Sequence, residues 1–419
     1  MKYDLIIIGG GAAGLAALKS AYDPNLNILL VEREKTLGGI LKQCIHNGFG
    51  IHKYKEELTG PEYAVRGIND VEDLDVDVVT DTTVIDVKKE NGQFSVRMTN
   101  TVDGDHEREA KAVILGSGCY ERTRGAIQLP GARPAGIMPA GSAQRYLNLE
   151  GYMVGKKVFI LGSGDIGLIM ARRMKLEGAD VKGVAEIMPY SNGLTRNIVQ
   201  CLHDFDIPLY LSHTVSDIRG KSTLEGITIN EVDDEFQMIE GTEKHFDVDT
   251  LLLSVGLIPD VNMFESLTFD MSRKTNGAIV DQNYQTSVEG LFACGNALHV
   301  HDLVDFVSEE SEKAGAAAKD YLLKNKRKSD KTIDLEPSNN VGYVLPQKLD
   351  MSDEFDKVEV SFRVTTRGDK GVFVVHQGEQ EIMTKKARFV MPAEMEKLKI
   401  KRELIDTDEP ISIRFEVKE

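Results

Sequence analysis

Continuous apolar runs alternate with helical stretches in the first part of the chain. Tyr3–Ile8 is almost entirely apolar, as a strand buried on both faces of a parallel sheet should be. The tight turn Gly9–Gly14 follows, then Ala12–Tyr22, which is rich in alanine and leucine, and then the apolar run Asn27–Val31. This order predicts a strand, a helix and a second parallel strand, which together make a βαβ unit.

The same pattern recurs in the middle of the chain. Lys157–Leu161 predicts a strand, Gly162–Gly167 a turn, Ile166–Glu177 a helix and Val181–Ala185 a second strand. The chain therefore contains two βαβ units of one design.

Other apolar runs around these units predict more strands and one long helix. The predicted strands are Asp81–Val87, Gln93–Thr99 and Ala112–Leu115 before the second unit, and Asp249–Ser254, Ala278–Val280 and Leu291–Cys294 after it. A helix over roughly Leu303–Lys324 follows the last of them.

The pattern changes to alternation in the last part of the chain. Short runs punctuated by glycine predict strands at Val358–Val364, Val372–His376, Glu381–Phe389 and Ile411–Val417. The polar segment Lys326–Asn340 precedes them. We therefore expect a linker and then a small β-sandwich.

The first glycine turn has the spacing and the context of a dinucleotide site, since a strand precedes it and a helix begins within it. Gly9 permits the tight turn, Gly11 leaves room for a pyrophosphate, and Gly14 lets helix and strand pack closely. The phosphates would meet free N–H groups at the positive end of the helix. Glu32 ends the next strand and is placed to bind the ribose hydroxyls. The N-terminal position, with Gly38-Gly39 just behind the acid, favours FAD.

The second glycine turn is equally well placed, and NAD(H) is its expected ligand. Gly162, Gly164 and Gly167 carry the spacing, and Glu186 ends the following strand. A carboxylate at that position would repel the 2′-phosphate of NADP, so NADH is favoured over NADPH. The alternative is a degenerate nucleotide fold that binds nothing.

Charge and cysteine content narrow the possible partners. The net charge of −17 argues against nucleic acid and anionic membranes, and the basic run Lys324 to Lys331 is better explained as a solvated linker. No apolar stretch is long enough to span a membrane, and the N-terminal run is too short for a signal peptide. The dispersed residues Cys44, Cys119, Cys201 and Cys294 form no C-x-x-C motif and suit the reducing cytoplasm.

The set of motifs resembles the pyridine nucleotide–disulfide oxidoreductases, which are flavoproteins with two dinucleotide-binding domains. Val113–Gly118 and Thr286–Asn296 join the two glycine turns in this resemblance, which covers about residues 1–325. It implies that Gly116 and Gly118 close over FAD and that Gly295 and Asn296 lie at its ribityl chain. The family has aspartate where this chain has Asn296, whose side-chain oxygen can still accept a hydrogen bond.

A closer resemblance lies in Gln43–Gly50 and His299–Phe306. These segments look like the flavoprotein subunits of hydrogen cyanide synthase and opine oxidases, and like the NADH-oxidase-like flavoproteins that accompany anaerobic glycerol-3-phosphate dehydrogenase. The resemblance implies an electron-transfer subunit in an oligomer or hetero-complex. Disulfide reductases of the family have a cysteine pair near the flavin, whereas only Cys44 follows Gly38-Gly39 here, so we expect no dithiol relay.

The resemblance implies that the segment after Gly39 passes the flavin, which makes Cys44 and His46 the candidate catalytic residues. Cys44 could cycle through a sulfenic acid, and His46 could donate a proton or contact the ring; alternatively, both simply pack against FAD. Downstream, Asp302 has the position of a helix N-cap, and the resemblance implies that this helix points at the flavin. His299 and His301 have no third metal ligand in view, so no metal site is expected.

These expectations define an α/β fold with two Rossmann-like domains and a small C-terminal all-β domain. The FAD-binding domain comprises residues 1–120 and 261–325, interrupted by the NAD(H)-binding domain at 121–260; a linker at 326–340 leads to the all-β domain at 341–419. The expected FAD contacts are Gly9, Gly11, Ala12, Ala13, Gly14, Glu32, Arg33, Gly38, Gly39, Val84, Gly116, Gly118, Gly295, Asn296 and Asp302. The expected NAD contacts are Gly162, Gly164, Asp165, Ile166, Gly167, Glu186 and Gly256.

Three functions are compatible with these features. The first is an NADH-linked flavoprotein that exchanges electrons with a partner dehydrogenase subunit, for which the C-terminal domain is a docking module. The second is a self-sufficient NADH oxidase or dehydrogenase that uses oxygen or a small acceptor. The third is a non-catalytic nucleotide-binding scaffold.

Overall fold

The computed structural model describes residues 2–324 and 331–418, which fold into two compact units. The first unit comprises Met1–Cys119 and Pro259–Glu419, and the second comprises Tyr120–Ile258. Residues 325–330 lie outside the described part of the chain, and with them most of the basic run and the start of the expected linker.

The first third of the chain contributes the strands β1 Lys2–Ile8, β2 Ile28–Val31, β3 Asn47–Phe49, β4 Leu58–Thr59, β5 Asp77–Val79, β6 Thr82–Glu90, β7 Gln93–Asn100, β8 Gly104–Leu115 and β9 Cys119–Glu121. The middle contributes β10 Ile137–Pro139, β11 Lys157–Leu161, β12 Asp180–Ala185, β13 Leu209–Tyr210, β14 His213–Arg219, β15 Gly226–Glu231, β16 Lys244–Phe246, β17 Thr250–Leu253 and β18 Leu257–Pro259.

The last part contributes β19 Leu291–Ala293, β20 Thr332–Pro337, β21 Val341–Leu345, β22 Lys348–Asp350, β23 Lys357–Val364, β24 Gly368–Gln377, β25 Gln380–Val390, β26 Glu396–Lys401 and β27 Ile411–Val417. The α-helices are α1 Ala12–Ala21, α2 Gly60–Asn69, α3 Ala140–Asn148, α4 Asp165–Leu176, α5 Thr195–Cys201 and α6 Val304–Lys324.

The main sheet of the first unit has the order β5-β2-β1-β8-β7-β6, and β19 pairs with β8. Strand β1 is parallel to both β2 and β8, and β6, β7 and β8 form an antiparallel meander. Leu5 and Ile7 of β1 pack against α1 and α6, whereas Ile6 and Ile8 belong to a core on the opposite face. The strand is therefore buried on both faces, which explains its continuous apolar sequence.

The second unit contains a parallel sheet of order β10-β17-β11-β12-β13. Val158 and Ile160 of β11 face the core formed with α3 and α4, and Phe159 and Leu161 face a second apolar cluster. The predicted strand–turn–helix–strand sequence is confirmed here in β11, α4 and β12. Strands β14, β15 and β16 add a small antiparallel sheet.

The C-terminal strands form two sheets, β22-β20-β27-β24-β25 and β21-β23-β26, around one apolar core. Phe362, Phe373 and Phe415 are the largest side chains buried in it. The four strands predicted from alternation are present at Lys357–Val364, Gly368–Gln377, Gln380–Val390 and Ile411–Val417. Four shorter strands join them, including β20, which lies within the stretch expected to be a linker and pairs with β27.

One predicted strand, Ala278–Val280, is wrong: its only ladder contact is an isolated bridge between Ala278 and Met271. The backbone N–H groups of this segment donate to acceptors outside a sheet. Ile279 N donates to Asp270 O at 2.8 Å, and Val280 N donates to the side chain of Gln347 at 3.0 Å. The second bond comes from the loop between β21 and β22. The sequence of Ala278–Val280 alone gives no sign of this competing acceptor.

Candidate functional site

The three glycines of the first turn have different steric surroundings. Gly9 has φ +106°, and a Cβ on it would lie 2.4 Å from Gly116 O. A Cβ on Gly14 would lie 1.7 Å from Gly9 O, so helix α1 could not approach the strand so closely with any larger residue. A Cβ on Gly11 would meet nothing closer than Gly39 Cα at 3.8 Å. The space at Gly11 is the place where a diphosphate can approach the backbone.

The Glu32 carboxylate fixes the conformation of this turn. One oxygen accepts a hydrogen bond from Gly10 N at 2.7 Å, and the other accepts one from Glu34 N at 2.7 Å. Gly38 N donates to Gly10 O at 2.9 Å, which places the Gly38-Gly39 pair against the turn. Each Glu32 oxygen has a second lone pair, so the acid can still accept bonds from ribose hydroxyls.

The ends of β8 and β19 bring the later predicted glycines to the same turn. Gly295 has φ +63°, and a Cβ on it would lie 2.9 Å from the Ala13 side chain. Gly118 has φ +80°, and a Cβ on it would have no other atom of the described chain within 4 Å. Asn296 Oδ1 accepts from His301 N at 3.1 Å, and its amide nitrogen lies 3.5 Å from Cys119 Sγ.

The other expected FAD contacts divide into residues at the first turn and residues held by contacts elsewhere in the unit. Ala12 and Ala13 begin α1, whereas Val84 packs on the core from β6. Arg33 forms an ion pair with Asp260 at 3.6 Å. Asp302 was expected to cap α6, but its carboxylate instead pairs with Arg363 and accepts from Met395 N at 2.8 Å. Arg363 and Met395 bind the Asp302 carboxylate from the C-terminal part of the chain. Because both residues are about 60 or more positions from Asp302 in the chain, the local sequence could not predict these contacts.

The second glycine turn repeats the geometry of the first. Gly162 has φ +96°, and a Cβ on it would lie 2.1 Å from Ser254 O, while one on Gly167 would lie 2.6 Å from Gly162 O. One oxygen of the buried Glu186 carboxylate accepts from Ser163 N at 2.9 Å, and the other accepts from Met188 N at 3.0 Å. As in the first turn, the acid binds the N–H that follows the first glycine.

Among the other expected NAD contacts, Gly164 lies beside the side chain of Ser254 and Ile166 packs against the core of the unit. Gly256 has φ +105° and accepts a hydrogen bond from Arg122 N at 3.0 Å. Gly164 and Gly256 lie on the loops that follow β11 and β17, which are neighbours in the sheet, and Ile166 lies in the first turn of α4.

The segment before and within α5 also contacts the second turn, and sequence analysis missed it. Asp165 Oδ1 accepts from Leu194 N at 2.9 Å and from the Asn197 amide at 2.6 Å. Asn192 N donates to the Ser163 hydroxyl at 2.9 Å. The only signal in the sequence is the cluster of small and polar residues after Glu186.

Cys44 and His46 lie in the loop after Gly39, as expected. The Cys44 thiol donates to Ile40 O at 3.4 Å, and burial raises the pKa of this thiol to about 12. The His46 ring lies 5.0 Å from the Phe49 ring, and its Nδ1 is 3.0 Å from Asn47 O. None of the four cysteines, all of which lie in the described part of the chain, forms a disulfide.

Asp305 anchors the loop between β3 and β4 to α6 and was not identified from the sequence. Its carboxylate accepts from Gly50 N at 3.1 Å and from Lys53 N at 2.9 Å. The buried hydroxyls of Tyr63 and Ser308 add a hydrogen bond of 2.7 Å between α2 and α6. The His299–Phe306 motif contains Asp305, but only the folded chain shows which backbone it binds.

These surroundings suit a dinucleotide at each turn. Gly11 leaves open space at the start of a helix, Glu32 stands at the end of the adjacent strand, and Gly38-Gly39 forms the opposite wall. Gly164 and Glu186 hold the corresponding places in the second unit.

The model of the family described as pyridine nucleotide-disulphide oxidoreductase matches residues 3–320. The chain belongs to this family. It is therefore an oxidoreductase and a flavoprotein of an FAD- and NAD(P)-dependent family, as the sequence motifs indicated. None of the described helices has the length and apolar character needed to cross a membrane.

Curated relatives are about a quarter identical to the chain over the residues that align. An NADH oxidase of Methanocaldococcus jannaschii is 24% identical over 73% of this chain and 64% of its own length. The match thus spans less than two thirds of that relative. An NADH dehydrogenase of Bacillus subtilis is 25% identical over 77% of this chain and 59% of its own length, and a thioredoxin reductase of Ureaplasma parvum is 24% identical over 77% and 98%.

Among solved structures, T. acidophilum thioredoxin reductase superposes with a TM-score of 0.62 at 22% identity, covering 76% of this chain and 98% of that one. This likeness confirms the predicted α/β fold with Rossmann-like sheets. The specific resemblance to opine oxidase and hydrogen cyanide synthase subunits finds no counterpart among these proteins and stays a prediction.

Proposed function

We propose that the chain is an NADH-linked FAD oxidoreductase that exchanges electrons with a partner dehydrogenase subunit in the cytoplasm. A glycerol-3-phosphate dehydrogenase is the kind of partner we expect. The observation that carries the proposal is the combination of two complete glycine turns with a single, partly buried cysteine, Cys44, in the segment after the Gly38-Gly39 pair. Electrons that reach the flavin then have no dithiol to pass to.

The chain's residues have distinct roles in this proposal. The turns at Gly11 and Gly164 bind the diphosphates of FAD and NADH, and Glu32 and Glu186 bind the riboses. Bound FAD supplies a ring that accepts a hydride from nicotinamide. Asp305 holds the loop between β3 and β4 against α6, and β3 joins this loop to the segment that contains Cys44 and His46. The choice of NADH over NADPH rests on the negative charge of Glu186.

The state of Cys44 argues against disulfide reduction. The thiolate is the reactive form in thiol–disulfide exchange, and burial raises the pKa of this thiol to about 12, so it stays protonated at neutral pH. The Cys119 sulfur lies 3.5 Å from the Asn296 amide nitrogen, the Cys294 thiol donates to Leu115 O at 3.8 Å, and neither cysteine forms a disulfide. The thioredoxin reductases among the relatives therefore share the fold with this chain without, in our proposal, sharing the reaction.

The C-terminal sandwich offers a docking surface, which we call the basic edge: Lys370, Lys386, Arg388 and Phe389. Strand β25 is the last strand of its sheet, and Lys370 of β24 lies opposite Arg388. All four side chains are exposed, and Phe389 is 73% exposed with φ +53°. A positive strip with an exposed aromatic residue, on a chain of net charge −17, suits an acidic surface on a partner subunit.

Purification of the tagged, full-length chain at native expression tests the proposal. We expect a dehydrogenase subunit to co-purify with the wild-type chain, and the Lys386→Glu/Arg388→Glu variant to recover it at least about tenfold less, because these changes reverse the local charge. Anaerobic titration should bleach the flavin band of both proteins with NADH, and with NADPH only at much higher concentration.

The matched control is Arg273→Glu/Lys274→Glu, an exposed basic pair elsewhere in the first unit, which should leave co-purification unchanged. A chain that purifies alone and turns over steadily with NADH and oxygen contradicts the partner role. That outcome supports the second candidate, a self-sufficient NADH oxidase or dehydrogenase, which the names of two relatives favour. A flavin band that NADH does not bleach supports the third candidate, a non-catalytic nucleotide-binding scaffold.

A further inference from the structure

A buried polar cluster lies behind the Gly295–Asn296 turn. His299 Nε2 is 2.8 Å from Glu310 Oε2, and His301 Nε2 is 3.3 Å from the same oxygen. The two imidazole rings are 4.2 Å apart. The side chains of His299, His301 and Glu310 are 1%, 3% and 7% exposed. Two imidazole nitrogens and one carboxylate oxygen thus converge on one point inside the protein.

The outward-facing atom of each side chain is held by a second group. His301 Nδ1 is 3.1 Å from His299 O, and His299 Nδ1 is 3.3 Å from the Tyr343 hydroxyl. The other Glu310 oxygen accepts from Gly295 N at 2.8 Å. Metal-binding histidines and carboxylates usually have such a second partner, which fixes the direction of the ligating atom.

The contact of His301 Nδ1 decides where the protons are. A carbonyl oxygen can only accept, so Nδ1 carries the proton of the neutral ring. His301 Nε2 then presents a lone pair towards a carboxylate, which is repulsive unless a positive charge lies between them. Either a second proton or a metal ion can supply that charge.

We propose that His299, His301 and Glu310 bind a divalent transition-metal ion such as Zn²⁺ or Fe²⁺. Ligand bonds of about 2.0–2.2 Å place neighbouring donor atoms about 3 Å apart, close to the separations of 2.8 and 3.3 Å observed here. Two histidines and one carboxylate are a donor set used for zinc and for non-haem iron. The ion would join the start of the His299–Phe306 motif to the middle of α6.

The charges around the cluster are compatible with a cation. Arg363 Nε lies 3.2 Å from the Tyr343 hydroxyl, and its guanidinium is paired with Asp302, so this positive charge is compensated beside the cluster. Within the cluster, both imidazoles face the carboxylate of Glu310, which supplies the negative charge that a cation needs.

Metal analysis of the full-length protein tests this site. We expect about one zinc or iron per chain, measured by plasma mass spectrometry together with flavin content, after growth in medium supplemented with either metal. The His301→Gln and Glu310→Gln variants should retain less than about a tenth of that metal. Zn²⁺ added to protein from metal-depleted medium should raise the thermal midpoint of the wild type and leave that of both variants unchanged.

His106→Gln is the control: His106 lies in β8 opposite Met98 of β7, outside the cluster, so this variant should keep the metal. Wild-type protein without metal under every growth condition, with normal flavin content and no thermal response to Zn²⁺, overturns the proposal. Neither outcome depends on the partner subunit, so the metal site and the proposed function stand or fall separately.

Discussion

Glu32 and Glu186 have the same local contacts in two different sheets. Each is buried at the end of a parallel strand, and each accepts a hydrogen bond from the N–H after the first glycine of its turn. Each also accepts from the backbone two residues further on, at Glu34 and Met188. The acid therefore orders its turn before any nucleotide binds, which reduces the conformational cost of binding.

Cys44 should behave as an ordinary buried thiol. Because burial raises its pKa to about 12, the thiolate fraction increases tenfold for each pH unit from 7 to about 11. We expect the rate of alkylation by iodoacetamide, followed at the Cys44 peptide by mass spectrometry, to increase in the same proportion. Cys44→Ser should retain NADH-dependent bleaching of the flavin.

The redox alternative makes the opposite prediction for this residue. A rate that levels off below pH 9, or that changes severalfold when NADH reduces the flavin, would identify a low-pKa thiolate coupled to the flavin. Denatured protein provides the reference rate for an unhindered thiol.

The glycine turn illustrates what one element requires of its residues. Gly14 serves the packing of α1 against β1, because its missing side chain admits Gly9 O. Gly11 would serve the ligand, because a Cβ on it would meet only Gly39 Cα, at an ordinary contact distance of 3.8 Å. A sequence motif presents both as one pattern, but their substitutions should have different consequences.

Gly14→Ala and Gly11→Ala form a matched pair for testing this distinction. We expect Gly14→Ala to destabilise the protein by at least about 1–3 kcal/mol, since a methyl group would overlap a backbone oxygen. Gly11→Ala should fold normally and bind FAD about tenfold or more weakly, equivalent to about 1.4 kcal/mol. Thermal unfolding of the FAD-free proteins and FAD titration by fluorescence measure the two effects.

Equal loss of stability in both variants would show that Gly11 is also a packing residue. Normal FAD affinity in Gly11→Ala would place the diphosphate elsewhere. The second turn offers an independent comparison through Gly167 and Gly164, whose surroundings differ in the same direction.

In the whole molecule, the C-terminal strands belong to the same compact unit as the first βαβ fold. Gln347 N donates to Val280 O at 3.1 Å, and Asp350 N donates to the Gln282 side chain at 2.7 Å. Leu345 of β21 enters the core of the first sheet. The sandwich is thus a built-in part of this unit rather than a separate body on a free linker.

The partly buried ion pair between Arg363 and Asp302 should be central to this attachment. Its side chains are 18% and 15% exposed, and Arg363 also donates to Val300 O at 3.1 Å. We expect Arg363→Met to destabilise the first unit by about 1–3 kcal/mol, because it removes the positive partner of a carboxylate that is largely shielded from water. The double variant Arg363→Met/Asp302→Asn should recover part of that loss. Urea unfolding followed by circular dichroism measures both.

Arg97→Met is the control for this change. Arg97 pairs with Asp105 on the meander of the same unit, where both side chains are 49% exposed, so its loss should leave the urea midpoint nearly unchanged. Equal effects of the two substitutions would contradict a structural role for the Arg363 pair.

The sequence by itself determined the local features of this protein. Continuous apolar strands, glycine spacing and terminal acids depend on residues close together in the chain, so β1, β11, both turns, Glu32 and Glu186 could be predicted. The long helix was also predictable: Leu303–Lys324 was expected and Val304–Lys324 is observed.

Only the tertiary structure decided which distant groups meet. Glu310 contacts His299 and His301. Asp302 pairs with Arg363 and does not have its expected role as a helix cap. Asp305 accepts a hydrogen bond from Gly50 N in the loop after β3. Each of these contacts joins elements whose positions are set by packing. A side chain's choice among several polar partners depends on burial and distance, which no pattern along the chain records.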